Sequence, residues 1–299
     1  VRFIVFFLIS FQIFAQNSLE IFLKPSDTIK QKRKSIVYIT GGSAITLGLV
    51  GLNQLWYKDY PKSSFHTIND INDWQQMDKI GHFYSSYHLS KIGSDLVKWT
   101  GSNSKNQLIF GASVGLLFLT TVEIMDGHAQ QWGFSWSDMA ANTLGTALYV
   151  SQEILWKEQR ITPKFSYHNT NFAALRPNTL GNTFTEKILK DYNAQTYWLS
   201  FNVQSFIKND KIPKWLNIAI GYGADGMLTA NTETENQLNL PITDRNRNLF
   251  LSIDLDLTKI KTNSHLLKTL FSTVNLLKIP APTFQINQSG KTTWYGIYY

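Results

Sequence analysis

The apolar positions of this chain follow two different periods, and the change falls near its middle. From Ser35 to Tyr57 no charged residue occurs, and the stretch is long enough to span a bilayer as a helix. Gly41, Gly42, Gly48 and Gly51 give it small faces suited to close packing, so a buried core helix explains it equally well. Asp73 is a good N-cap for a second helix from about Trp74 to Trp99, broken by the Gly/Ser/Asn stretch at 101–104. A third helix is predicted from about Lys105 to Asp126, uncharged from Asn106 to Val122, with Gly127 where a C-terminal cap is expected. Ser135 and Asp138 have capping-box spacing before a fourth helix, about Ser137 to Gln159, and Pro163 ends that run.

Beyond this the period becomes two. Leu199, Phe201 and Val203 alternate with polar residues within 197–206. Leu216, Ile218, Ile220 and Tyr222 do so within 215–223, and Leu249, Leu251, Ile253, Leu255 and Leu257 within 247–258. These are strands with one apolar face. Residues 264–278 return to a helical period, and 283–287 and 293–299 can supply two more strands. The fold class is therefore α+β: an N-terminal helical bundle of about four helices, then an antiparallel amphipathic β-sheet or partial barrel. The expected division is a signal peptide at 1–16, a polar lead-in at 17–34, a helical domain at 35–165 and a strand-rich region at 166–299.

The first segment has one Arg ahead of an apolar run, Phe3 to Phe14, ending at Ala15-Gln16. That is the layout of a secretory signal peptide; a short membrane anchor is the other reading, and both export the chain. Charged residues are 16% of the chain, against roughly 25% in soluble domains, and aromatics are 14%, which together exclude disorder. The net charge is +7, and the one dense basic run, Lys30, Lys32, Arg33 and Lys34, suits anionic lipid headgroups or a solvated turn. No basic stripe with interleaved aromatics is present, so nucleic acid is not an expected partner. The absence of cysteine removes disulfides, thiolate metal sites, cysteine catalysis and the acyl carrier of a lipoprotein. Gly221-x-Gly223-x-x-Gly226 matches the dinucleotide fingerprint but is followed by no apolar-periodic helix, so neither a nucleotide nor any other cofactor is expected.

The candidate chemistry lies in the helical half. Asp78 and His82 stand at i,i+4 on one helix face, beside Lys79. Glu123, Asp126 and His128 close the next helix, and Asp138 and Asn142 open the fourth, again at i,i+4. Antiparallel packing would gather them at one end. Asp78, His82, Glu123 and Asp138 are the catalytic candidates, as general acid, base or metal ligands. Asp78, His82, Glu123, Asp126 and His128 are the candidates for binding a divalent cation. The spacing fits a structural polar cluster of Asp78, Lys79, His82, Glu123, Asp126, Asp138 and Asn142 as well, with Asp138 in a capping box and Asp78–His82 as a buried ion pair.

Several of these residues stand in an ordered set of motifs. It runs Asp78-Lys79-Ile80-Gly81-His82-Phe83, then Glu123-Ile124-Met125-Asp126-Gly127, then Gly133-Phe134-Ser135-Trp136-Ser137-Asp138, then Ala141-Asn142-Thr143-Leu144-Gly145. Through it the stretch from Trp56 to about Trp156 resembles the YfiM-like family, a domain of unknown function described as predicted periplasmic lipoproteins. The set is weakly similar also to VanZ-like membrane proteins, although Glu123 and Gln130 are too far apart for their usual Glu-x-x-Gln. The strand-rich tail resembles the C-terminal extension of Bacteroidota members, through Gly221 to Met227. The resemblance implies an exported protein of a Gram-negative envelope, at the outer membrane or in the periplasm, with the inner membrane as the alternative. It brings no established reaction. Membrane lipid or outer-membrane components are the expected partners, with an envelope protein as a further one. The end of the chain, with Tyr295, Ile297 and Tyr299 on one face, resembles the last strand of outer-membrane barrels, but about five strands fall short of the eight a closed barrel needs.

Overall fold

The structure, a computed structural model, describes residues 18–241 and 243–299. The signal-peptide expectation at 1–16 lies outside the described residues. The fold is α+β, with helices leading into one antiparallel six-stranded sheet.

Helix α1 runs Gln31–Leu52 and continues as a wide turn over Asn53–Tyr57. Helices α2 (Met77–Trp99), α3 (Ser113–Gly127) and α4 (Trp136–Leu155) pack against one another. A wide helical turn at Gln107–Gly111 leads into α3, so Ser104–Gly127 is a second stretch long and apolar enough to cross a membrane, alongside Gln31–Tyr57. The bundle is thus three mutually packed helices rather than four. No residue of α1 is buried, because its apolar side chains point all round and only part of them can meet α2 and α3.

Glycine lets these helices approach closely. A Cβ on Gly145 of α4 would stand 2.2 Å from the Phe83 carbonyl oxygen of α2, and one on Gly115 of α3 would stand 2.3 Å from that of Ser86. Both are backbone contacts that cannot swing aside. Gly145→Val is therefore expected to cost at least the roughly 1–3 kcal/mol of an overpacked core, read as a lower unfolding midpoint in detergent. The much more open Gly41, which meets nothing within 4 Å, should accept Ala without loss.

Two helix termini are built differently from the sequence expectation. Asp73 does not cap α2. Trp74, Gln75 and Gln76 take positive φ (49°, 50° and 65°), the Trp74 N–H donates to the Ala230 carbonyl, and the helix proper begins at Met77. The Asp73 carboxylate instead accepts the Asn231 amide. Gly127 ends α3 without a left-handed cap. Its missing Cβ makes room for Phe65, whose ring carbon would lie 2.5 Å from that atom.

A short parallel pair, β1 (Thr67–Ile68) with β2 (Phe134–Ser135), ties the loop before α2 to the start of α4. The large sheet is a meander in chain order: β3 (Ile161–Tyr167), β4 (Gln195–Asn202), β5 (Leu216–Asp225), β6 (Asn246–Leu255), β7 (Ala281–Asn287) and β8 (Thr292–Tyr298). Strand β3 was hidden by Pro163, which reads as a helix stop but sits in an edge strand, where a missing N–H is tolerated. The expected strand at 197–206 is cut short because Asn202 caps a helical turn at Val203–Ile207. Helix α5 (His265–Val274) is inserted between β6 and β7, and residues 276–278 then run along the free edge of β3.

The sheet is strongly curled. Flat, β4 and β8 would lie about 19 Å apart. Yet Trp198 of β4 and Tyr298 of β8 have ring centroids 5.9 Å apart, and the Lys164 ammonium of β3 reaches the Asp254 carboxylate of β6 at 2.8 Å. Gly221 permits the curl locally, since a Cβ there would lie 2.6 Å from the Trp198 ring. At Gly221 the glycine run serves close packing.

The two faces have inverted polarity for a sheet in water. The concave face holds Trp198, Ala219, Phe250 and Tyr298 among buried Lys164, Ser200, Asn217, Asp254 and Lys278. Ser200 Oγ donates to Asp254 Oδ2 at 2.6 Å, and Asn217 Nδ2 to Ser200 Oγ at 2.8 Å. The convex face carries an unbroken cross-strand row, Leu199–Ile220–Leu251–Phe284–Trp294, in direct register across five strands. These side chains are 36% to 67% exposed, and Ile218, Leu249, Ile253 and Ile286 beside them are exposed too.

Candidate functional site

The first turns of α2, the last turn of α3 and the first turns of α4 converge at one end of the helices. Packing rather than local preference does this: with Gly145 on Phe83 and Gly115 on Ser86, α2 is held between α3 and α4, and the Ser86 hydroxyl donates to the Asn142 carbonyl at 2.6 Å. The i,i+4 spacings then turn Asp78 and His82, and Asp138 and Asn142, to the shared interior.

Lys79 is the centre of the cluster. Its ammonium lies 2.6 Å from Asp70, 3.1 Å from Asp78 and 3.0 Å from Asp138. Asp70 also accepts the Ser135 and Ser137 hydroxyls at 2.6 and 2.9 Å. His82 Nδ1 lies 3.0 Å from Asn142 Oδ1 and 3.6 Å from Glu123 Oε1, while Nε2 faces Asp78 Oδ1 at 3.8 Å. Glu123 Oε2 accepts the Ser135 N–H at 3.1 Å. Two tyrosines close the periphery: Tyr192 donates to Asp78 Oδ1 at 2.7 Å and Tyr57 to Asp126 Oδ1 at 2.6 Å.

The charges shift one another. Burial alone would lower the pKa of His82, but Asp78, Asp138 and Glu123 outweigh it and hold the imidazolium above its ordinary range. Lys79 is likewise raised, because Asp78, Asp138 and Asp70 overcome its desolvation. The carboxylates divide. Burial would raise Asp70, yet its hydrogen bonds from Lys79 and Ser135 bring it below the usual value. Asp138 is pushed up to about 6, first by burial and then by Asp78.

This last shift has a measurable sign. The folded protein binds the Asp138 proton more tightly than the unfolded chain, so ionising it costs stability. The Asp138 contribution therefore declines as pH rises from the unfolded value of 3.8 to about 6, and is constant above. Asp138→Asn is expected to remove that slope from a plot of unfolding free energy against pH; an unchanged slope would assign it to another group.

The structure brings together Asp78, Lys79, His82, Glu123, Asp138 and Asn142, with Asp126 tied to Tyr57 at the margin. It does not bring in His128, which is exposed and stacks edge-on against Phe65 with ring centroids 5.4 Å apart. The capping-box expectation is half realised. Ser135 Oγ accepts the Asp138 N–H at 3.1 Å, but the Asp138 carboxylate turns to Lys79 instead of back to the cap. Asp70, Tyr57 and Tyr192 were missed. They come from two loops and the end of α1, and no periodicity or spacing connects them to the helix motifs.

In class this is an α+β protein with a buried ionic cluster between three helices and a curled sheet whose exposed face is apolar. Residues 68–152 match the family model described as a predicted periplasmic lipoprotein (DUF2279), a domain of unknown function. The matched stretch carries the YfiM-like motifs and covers α2 to α4 with all the cluster except Tyr57 and Tyr192. No curated protein and no solved structure gives a significant match to the chain.

Proposed function

We propose that this is a cell-envelope protein held at the outer membrane by the convex face of its sheet, with a structural or lipid-contacting role and no reaction of its own. The row Leu199–Ile220–Leu251–Phe284–Trp294 carries this reading. A continuous apolar face of this size is costly in water and stable against acyl chains. Three features support it. The meander is antiparallel with apolar residues outward and polar residues inward, as in outer-membrane barrels. Strands β5 and β6 are 10 residues long, the length a tilted membrane strand needs. The 299 residues hold no cysteine, and the apolar sheet face offers a means of attachment of its own. The family description supports an exported location.

Separation of inner and outer membranes on a density gradient tests the reading, with the tagged full-length chain followed through the fractions. Recovery with the outer membrane is expected. Recovery in the inner membrane would overturn it and make Gln31–Tyr57 or Ser104–Gly127 the membrane contact.

A second reading, a membrane-embedded enzyme acting on an envelope lipid or glycan, is favoured by one observation. Glu123 Oε1 and Asn142 Nδ2 are buried beside His82 without a hydrogen-bond partner. In that reading Asp78, His82, Glu123 and Asp138 carry the acid–base work. An envelope phenotype lost in His82→Gln with the fold intact would favour it; an unchanged phenotype in both His82→Gln and Asp138→Asn would remove it.

A further inference from the structure

We propose that Asp78, His82 and Asp138 form a site for one divalent transition-metal ion of the Zn²⁺ or Co²⁺ type, between the first turns of α2 and α4. The inference is independent of how the sheet meets the membrane.

Geometry supplies the first argument. One ligand atom from each of the three residues lies within 4.8 Å of the other two. The His82 ring is already set for coordination. Nδ1 hydrogen-bonds to Asn142 Oδ1 at 3.0 Å, with Glu123 Oε1 at 3.6 Å, and Nε2 faces Asp78 Oδ1 at 3.8 Å, where an incoming ion would displace the Nε2 proton. Metal-binding histidines are oriented in this way, with the second ring nitrogen donating to a carbonyl or carboxylate. Asp78 is itself oriented, by the Tyr192 hydroxyl at 2.7 Å.

The second argument is the unpaired polar groups. Glu123 is 1% exposed and Asn142 is fully buried, yet Glu123 Oε1 and Asn142 Nδ2 have no hydrogen-bond partner. Leaving such groups unpaired costs roughly 1–3 kcal/mol each, so a structure that retains them beside His82 has a use for them. A cation on Nε2 would draw the imidazole Nδ1–H toward Glu123 and complete that contact.

Charge gives the third. Asp70, Asp78 and Asp138 share a single ammonium, Lys79. Lys79 lies 3.0 Å from Asp138 Oδ1, which nevertheless lacks a well-directed hydrogen bond. That oxygen is available to an ion, with Lys79 remaining on Asp70. The side chains of Asp78 and His82 are 23% and 15% exposed, so solvent reaches the site and a fourth ligand position is open. One imidazole with two carboxylates suits zinc or cobalt better than calcium, which prefers an all-oxygen shell.

The test uses the full chain, purified in detergent, stripped with a chelator and titrated with Co²⁺. One equivalent per chain is expected, with the visible absorption of four-coordinate cobalt, displaced by Zn²⁺. His82→Gln and Asp138→Asn, checked for helical circular dichroism, are expected to weaken binding by about 100-fold or more. Because either variant can unfold, the wild-type protein is also treated with diethyl pyrocarbonate with and without Zn²⁺. Mass spectrometry should show His82 protected by the ion while exposed His128 reacts equally in both. No stoichiometric uptake by the folded wild type, equal uptake by His82→Gln, or His82 modification unaffected by Zn²⁺ would each overturn the proposal.

Discussion

Lys79→Met is expected to lower stability by about 3–5 kcal/mol, the cost of leaving buried charges without their partner. Asp70, Asp78 and Asp138 all lie within 3.1 Å of the Lys79 ammonium, and Asp70 and Asp138 are buried. Without it the three carboxylates repel one another in a site where water screens them weakly. The check is thermal unfolding of wild type and variant in the same detergent at pH 7.5. The deficit should shrink as pH falls, because carboxylates without the ammonium take up protons more readily and protonation relieves the repulsion. Asp138 leads, since its pKa is pushed up to about 6 even with Lys79 present. Combining Lys79→Met with Asp70→Asn and Asp138→Asn should recover much of the loss, because the pair energies are shared among contacting residues and do not add. A single-variant loss below 1 kcal/mol would show that the cluster is solvated and that its short distances carry little energy.

Leu251→Arg is expected to remove most of the protein from the membrane fraction or to prevent its assembly there. Leu251 is 53% exposed and stands at the centre of the convex row, between Ile220 and Phe284. A cation at mid-depth on a lipid-facing strand costs about 2–4 kcal/mol, and the cost falls toward the membrane surface. The same substitution at Asn209, an exposed loop position, should change nothing. Ser252→Leu, one residue along and on the concave face, should destabilise the fold instead, because Ser252 accepts Thr283 and donates to the Pro282 carbonyl. Liposome flotation separates the outcomes. Loss of flotation in Leu251→Arg with retained circular dichroism supports lipid contact. Equal flotation of both proteins would show that this face meets something other than lipid.

The elements themselves were largely legible. An uncharged run predicted α1, polar punctuation at 101–104 divided α2 from α3, and strict alternation predicted β5 and β6 to within a few residues. The failures have specific causes. Pro163 suggested a terminator, but a proline's missing N–H is harmless in a strand whose edge is otherwise covered by 276–278. Asp73 suggested a cap, but the backbone N–H of Trp74 found the Ala230 carbonyl, from a loop more than 150 residues away. Asn202 lies in an alternating run, yet its side chain accepts the Ser205 N–H and turns the chain into a helix.

The cluster was legible in the same limited way. Spacing at i,i+4 establishes that Asp78 and His82 share a face, as do Asp138 and Asn142, because helix geometry is local. Which faces meet is not local. It was decided by Gly145 and Gly115, which let backbones touch, and by a β1–β2 pair too short to have a sequence signature. The alternation along β4 to β7 likewise established that the sheet has one apolar and one polar face. Only the tertiary structure decided which face is inside: the curl encloses Lys164 and Lys278 around Asp254, with the carbonyls of Leu255, Ile253 and Ile279 accepting from the two ammoniums, and leaves Leu199, Ile220, Leu251, Phe284 and Trp294 outside. A period of two is symmetric between the faces, and curvature breaks that symmetry.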